Sequence, residues 1–177
     1  MVDTKRAMKI YLAGPLGFSE AGRSFYQREV VAKVGRLGHV ALDPWSDVDI
    51  LGIDPNLGVE IKATQELPYG PGKRDAWQAL NVRIGAKNRA LIDACDLVFA
   101  VLDGADVDSG TAAEVGYAFA KGKPILGYRG DFRVSADNEG AAINLQVEYF
   151  IRASGGTIMT RLDELEHALA KITPGRQ

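Results

Sequence analysis

Apolar residues in this chain fall into short uninterrupted runs, separated by segments in which they recur at helical spacing. The run Lys9-Ile-Tyr-Leu-Ala, ending in Gly14-Pro15, reads as a buried first strand followed by a loop. Residues 20–37 carry Phe25, Val30, Val31, Val34 and Leu37 at helix-like intervals and stop at Gly38. His39-Val-Ala-Leu-Asp43 predicts a second strand closed by Pro44, and 75–94 a helix. Residues 96–102 are apolar almost throughout, the mark of a strand buried on both faces. A helix over 109–121 and a strand over 123–128 follow. The tail predicts a short helix at 142–150, a strand around 157–159 and a final helix at 161–171, with Leu162, Leu165, Leu169 and Ile172 on its apolar side. This alternation predicts an α/β fold: a five-stranded parallel sheet in flavodoxin-like order with helices on both faces. Residues 45–73 are rich in Gly, Pro and Asp and show no sustained period; stretches of that length without structure are uncommon unless they serve function.

Length and composition narrow the picture further. With 177 residues, 46% hydrophobic and 25% charged, the whole chain 1–177 is expected to be one globular domain with a flexible start at 1–8. A net charge of −2 without a basic stripe argues against a nucleic-acid polymer as partner. No run reaches membrane-spanning length and residues 1–8 are polar, so a cytoplasmic protein without a membrane partner is expected. Cys95 is the only cysteine, which fits a reducing compartment and a buried thiol. His39 and His167 have no ligand-spaced companions, so neither a metal site nor a histidine-based triad is expected.

Candidate chemistry centres on Asp108-Ser-Gly-Thr-Ala-Ala-Glu114-Val-Gly-Tyr-Ala, which sets one carboxylate at a helix start and a second inside an almost wholly apolar helix. Asp108 is a good N-cap. Glu114 should be partly buried, either satisfied by a neighbouring Tyr or Arg or held as a nucleophile or general acid–base. A central first strand would bring Tyr11 to it, and a buried tyrosine hydroxyl needs a partner. The loop Gly14-Pro15-Leu16-Gly17-Phe18-Ser19, with Arg23 nearby, can offer backbone N–H groups to an anion but matches neither the P-loop nor the dinucleotide fingerprint. Trp45 and Trp77 can stack on a planar base or serve the core. Asn144 reads as a helix-start or surface amide.

Taken together and in order, Lys-Ile-Tyr11-Leu-Ala-Gly-Pro-Leu-Gly-Phe, Ala-Cys-Asp-Leu-Val-Phe-Ala-Val-Leu-Asp-Gly, Asp108-Ser-Gly-Thr-Ala-Ala-Glu114-Val-Gly-Tyr-Ala and Ile-Asn144-Leu resemble the nucleoside 2-deoxyribosyltransferases. The likeness spans most of residues 9–145 and leaves 45–73 and the tail unmatched. It implies a flavodoxin-like, homo-oligomeric enzyme without cofactor or metal, acting on small-molecule nucleosides and nucleobases. It further implies a double displacement in which Glu114 is the nucleophile, Tyr11 hydrogen-bonds it, Asp108 grips sugar hydroxyls and Asn144 reaches the sugar from a neighbouring subunit. Gly14, Pro15, Phe18, Trp45 and Trp77 are the remaining expected substrate-binding residues. One position departs from the pattern: many members carry an aspartate that relays a proton to the base where this chain has Asn88, and an amide cannot exchange a proton in that role. Nor does the chain end in an aromatic residue, as some members do. Two rival readings are an N-glycoside hydrolase of nucleosides or nucleoside 5′-monophosphates, with Ser19, Arg23 and Ser24 as phosphate contacts, and a non-catalytic nucleotide-binding module.

Overall fold

Short β-rich runs become strands here because each is apolar on both sides and can be covered by helices on both faces. In the computed structural model, which describes residues 6–133 and 136–172, these strands are β1 (Lys9–Ala13), β2 (Val40–Leu42), β3 (Leu97–Val101), β4 (Ile125–Tyr128) and β5 (Ile158–Met159). They form one sheet in the order β2-β1-β3-β4-β5, with every adjacent pair parallel. This is the flavodoxin-like arrangement that the alternation predicted. Tyr11 stands opposite Leu42 on one side and Val98 on the other, in the middle of the sheet.

The helices are α1 (Glu20–Phe25), α2 (Ala32–Arg36), α3 (Leu57–Glu66), α4 (Pro71–Ala94), α5 (Ser109–Ala120), α6 (Leu145–Ala153) and α7 (Leu165–Lys171). The two-residue period of the strands sorts the core into two layers. Tyr11, Ala13, Val98, Ala100 and Ile125 pack with Leu91 and Ile92 of α4, Val115 and Ala118 of α5, and Val147 and Ile151 of α6. Ile10, Leu12, Leu97, Phe99 and Val101 pack with Tyr26, Val30, Val34 and the α7 residues Leu165, Ala168 and Leu169.

Two local features depart from the sequence expectation. The helix expected over 20–37 is divided by a π-type stretch, Tyr26–Val31, between α1 and α2. The segment 45–73 is not wholly irregular, since it contains α3. That helix buries only Leu57 and Thr64 and leaves Val59 exposed, so it has no apolar stripe to detect. Polar ties hold its surroundings instead: Arg83 of α4 pairs with both Asp54 and Glu60, and Lys73 donates to the carbonyls of Gln65 (2.6 Å) and Leu67 (2.9 Å). The flexibility expected of 1–8 lies, for residues 1–5, outside the described residues, while the Met8 amide donates to His39 Nδ1 at 3.2 Å.

After β1 the chain moves to β2 on one side, and it returns to β3 on the other. The loops that follow β1 and β3 therefore diverge and leave a crevice at the carboxyl ends of these strands, where open α/β sheets bind ligands. Gly14 makes the first divergence possible. Its φ of 154° lies in a region that side chains rarely adopt, and a Cβ there would fall 2.9 Å from Val101 Cβ.

Candidate active site

Three side chains meet at this crevice. Tyr11, fully buried in β1, donates its hydroxyl to Glu114 Oε1 at 2.7 Å, and Asn88 Nδ2 of α4 donates to the same oxygen at 3.3 Å. Both donors address Oε1, which leaves Oε2 without a donor among the described residues. Burial pushes the Glu114 carboxyl up to about 7, and the negative charge of Asp108 adds to the rise; the Tyr11 and Asn88 hydrogen bonds pull the other way. Burial and the adjacent Glu114 charge hold the Tyr11 hydroxyl far above its usual range. The tyrosine therefore stays protonated and acts as a permanent donor, while the carboxylate titrates near neutrality.

Asp108 caps α5: its Oδ2 accepts from the Thr111 amide at 2.9 Å and from Thr111 Oγ1 at 3.1 Å. Its influence on Glu114 shows that the cap lies within electrostatic reach of the carboxylate. The loop leading to it is braced by Arg129, a buried residue just beyond β4 that sequence reasoning did not single out. Arg129 Nη1 donates to the Leu102 carbonyl at 2.7 Å, and Nη2 donates to the carbonyls of Gly104 (3.3 Å) and Arg133 (2.8 Å).

On the far side of the crevice, Trp45 joins the loop Gly14–Phe18. Its indole Nε1 donates to the Gly14 carbonyl at 3.3 Å, and its ring meets Phe18 edge-on with centroids 4.7 Å apart. Pro15 opens the short 3₁₀ turn Pro15–Phe18 that carries Phe18, whose side chain is largely exposed. Gly17 is covered by the indole so closely that a Cβ would fall 2.0 Å from a ring atom.

Other expected residues stand apart. Trp77 sits eleven residues before Asn88 on α4, about 16 Å along the helix axis. With Tyr69, Lys73 and Arg74 it lines a separate open cleft of about 280 Å³, so within one chain it is not brought to Glu114. Asn144 is the N-cap of α6, its Oδ1 accepting from the amides of Gln146 (3.1 Å) and Val147 (3.3 Å). Ser19 and Ser24 are used locally: Ser19 Oγ caps α1 by accepting from the Gly22 amide, and Ser24 Oγ accepts from Arg28 at 2.6 Å. Cys95 is buried, donates to the Ile92 carbonyl and has its thiol pushed up to about 11 by burial. Among the described residues, no group of three or more His, Cys, Asp or Glu side chains is gathered as a metal site, and no helix is long and apolar enough to cross a membrane.

Sequence reasoning also missed Asp43. It is buried just past β2, and its carboxylate receives donors from Tyr26, Gln27 and the Trp45 amide. A carboxylate ending a strand on the ligand-binding edge of a parallel sheet was the available signal.

The fold and the Tyr11–Glu114 pairing define an α/β protein with a half-buried carboxylate at its topological switch point. The family model for nucleoside 2-deoxyribosyltransferase matches residues 10–146, and the chain belongs to that family. It is accordingly a nucleoside-processing enzyme. Among solved structures, a conserved protein from Enterococcus faecalis V583 is 25% identical with a TM-score of 0.64, over 93% of this chain and 98% of that one. The 2-deoxyribosyltransferase of Leishmania mexicana is 27% identical with a TM-score of 0.58, over 92% and 95%. A CMP N-glycosidase of Clostridium botulinum, 16% identical with a TM-score of 0.50 over 92% and 97%, shares the fold alone. None of the curated protein sequences matches the chain significantly.

Proposed function

We propose that this enzyme transfers 2-deoxyribose between nucleobases by double displacement, with Glu114 as the nucleophile. The observation that carries the reading is the carboxylate at the switch point, half-buried and held through Oε1 by Tyr11 at 2.7 Å, with Oε2 left for an electrophile. Oε2 attacks the anomeric carbon, the carbon–nitrogen bond breaks, and the base departs with the bonding electrons and takes up a proton. A ring nitrogen of a second base then attacks the same carbon, gives up its proton to solvent and frees the carboxylate, which balances the proton that the first base took up. Two inversions give net retention, as in retaining glycosidases. Burial near a pKa of about 7 leaves Glu114 ionised in a substantial fraction of molecules at neutral pH, yet poorly solvated, which favours attack. Asn88 donates to Oε1 and carries no exchangeable acid, so it positions the nucleophile rather than protonating the base.

Around this centre we assign Asp108 to the sugar hydroxyls, the Phe18–Trp45 pair to the face of the base, and Asn144 of a second copy to the sugar, in a homo-oligomer with shared sites. Product analysis with and without an added acceptor base tests the reaction. Exchange supports transfer, whereas free sugar in both arms means that water is the acceptor at the same centre. A 2-fluoro-2-deoxynucleoside, slow in the second step, should label Glu114 in mass spectra; a label on another residue overturns the mechanism. Glu114→Gln should lose at least about a thousandfold in rate, as nucleophile removals commonly do.

A further inference from the structure

At the carboxyl end of β2, Asp43 forms no ion pair among the described residues, although it is only 8% exposed. Three donors satisfy it: Tyr26 hydroxyl (2.7 Å) and the Trp45 amide (2.8 Å) on Oδ1, and Gln27 Nε2 (3.1 Å) on Oδ2. Tyr26 and Gln27 are the first two residues of the π-type stretch between α1 and α2. Such insertions disturb a helix and are found frequently at functional sites. Burying a carboxylate without a cationic partner costs stability, so geometry is the better account of this one.

That geometry leads to the crevice. Asp43 fixes the backbone of Trp45, the indole of Trp45 bonds the Gly14 carbonyl and covers Gly17, and its edge-on contact holds Phe18. We propose that Asp43, held by Tyr26 and Gln27, is a positioning residue for nucleobase recognition: it sets the Trp45–Phe18 pair in the orientation that receives the base without touching the base itself. This rests on the function proposed above, and the test is one of binding so that the two can fail separately.

In a Trp77→Phe background Trp45 is the sole tryptophan, since the chain has two. Adenine and cytosine are each titrated against its emission, and melting is followed in parallel. Asp43→Asn should weaken binding of the better base at least about tenfold and raise the KM for that base more than it lowers kcat. Tyr26→Phe and Gln27→Met, each removing one donor, should weaken it by a smaller factor, with Trp45 emission shifted in the unliganded protein. Should Asp43→Asn fail to fold, these two variants decide by the same criterion. Folded variants that bind the base as the parent does, or a parent whose Trp45 emission responds to neither base, overturn the proposal. Base binding intact in the parent without any exchange counts against transfer and leaves the positioning role standing.

Discussion

The Tyr11 hydroxyl meets Glu114 Oε1 at 2.7 Å across a separation of 103 residues. Because burial and the neighbouring charge keep this tyrosine protonated, the bond stabilises the ionised carboxylate and opposes the rise that burial imposes on it. If attack requires the carboxylate, kcat/KM should fall about tenfold per pH unit below the Glu114 pKa of about 7 and level off above it. Tyr11→Phe removes a bond that favours ionisation, so the acid limb of its profile should move to higher pH. A limb that stays fixed or moves to lower pH would contradict this electrostatic role.

The same burial has a cost in stability. A carboxyl raised from 4.5 to about 7 on folding contributes its full share of stability below the unfolded value and loses it as pH rises toward the folded one. Glu114→Gln removes the buried charge and keeps the shape. It should therefore be more stable than the parent at pH 8, by an amount on the order of 1–3 kcal/mol, and melt higher, and the gain should shrink toward pH 4.5. Calorimetry at several pH values checks this, and a difference independent of pH would remove the burial argument.

Asp108 combines two roles that substitution can separate. Asparagine caps helices about as well as aspartate, so Asp108→Asn should leave the melting temperature nearly unchanged, while Asp108→Ala should lose about 0.5–2 kcal/mol. If the carboxylate grips sugar hydroxyls, both variants should lose activity. Removing its charge also relieves the repulsion on Glu114, so the acid limb of Asp108→Asn should shift to lower pH. Activity that tracks stability alone across the two variants would assign Asp108 to the helix and not to the sugar.

Those carboxylates were legible in the sequence because their surroundings are local: Asp108 begins an apolar helix and Glu114 interrupts it. Strand order was legible too, since each strand is a continuous apolar run bounded by turn residues. Asp43 and Arg129 were not. Their partners are backbone groups and side chains from distant segments, such as Leu102 for Arg129 and Tyr26 for Asp43, and no periodicity announces such contacts. α3 escaped for a related reason, being tied by Arg83 and Lys73 rather than by an apolar stripe. Trp77 illustrates the converse: its residue type suits stacking, but only the fold shows that α4 carries it about 16 Å from Asn88 of its own chain.

Asn144 tests whether the site is shared between copies. Its Oδ1 is used to cap α6, which gives it a structural role in its own chain and leaves its Nδ2 for another contact. Serine also caps well, so Asn144→Ser should fold with little loss while removing the amide that would reach the sugar. If that amide serves a neighbouring subunit, Asn144→Ser and Glu114→Ala should each be inactive alone yet active when co-assembled. Some interfaces in the mixture would then pair a wild-type Glu114 from one chain with a wild-type Asn144 from another. Mixing is followed independently by mass spectrometry of the intact oligomer, using two chains of different tag mass. With mixed oligomers present, activity above that of either variant alone supports the shared site. Activity no higher than theirs places both residues in a site built by one chain, and a protein that remains monomeric throughout rules out the shared site directly.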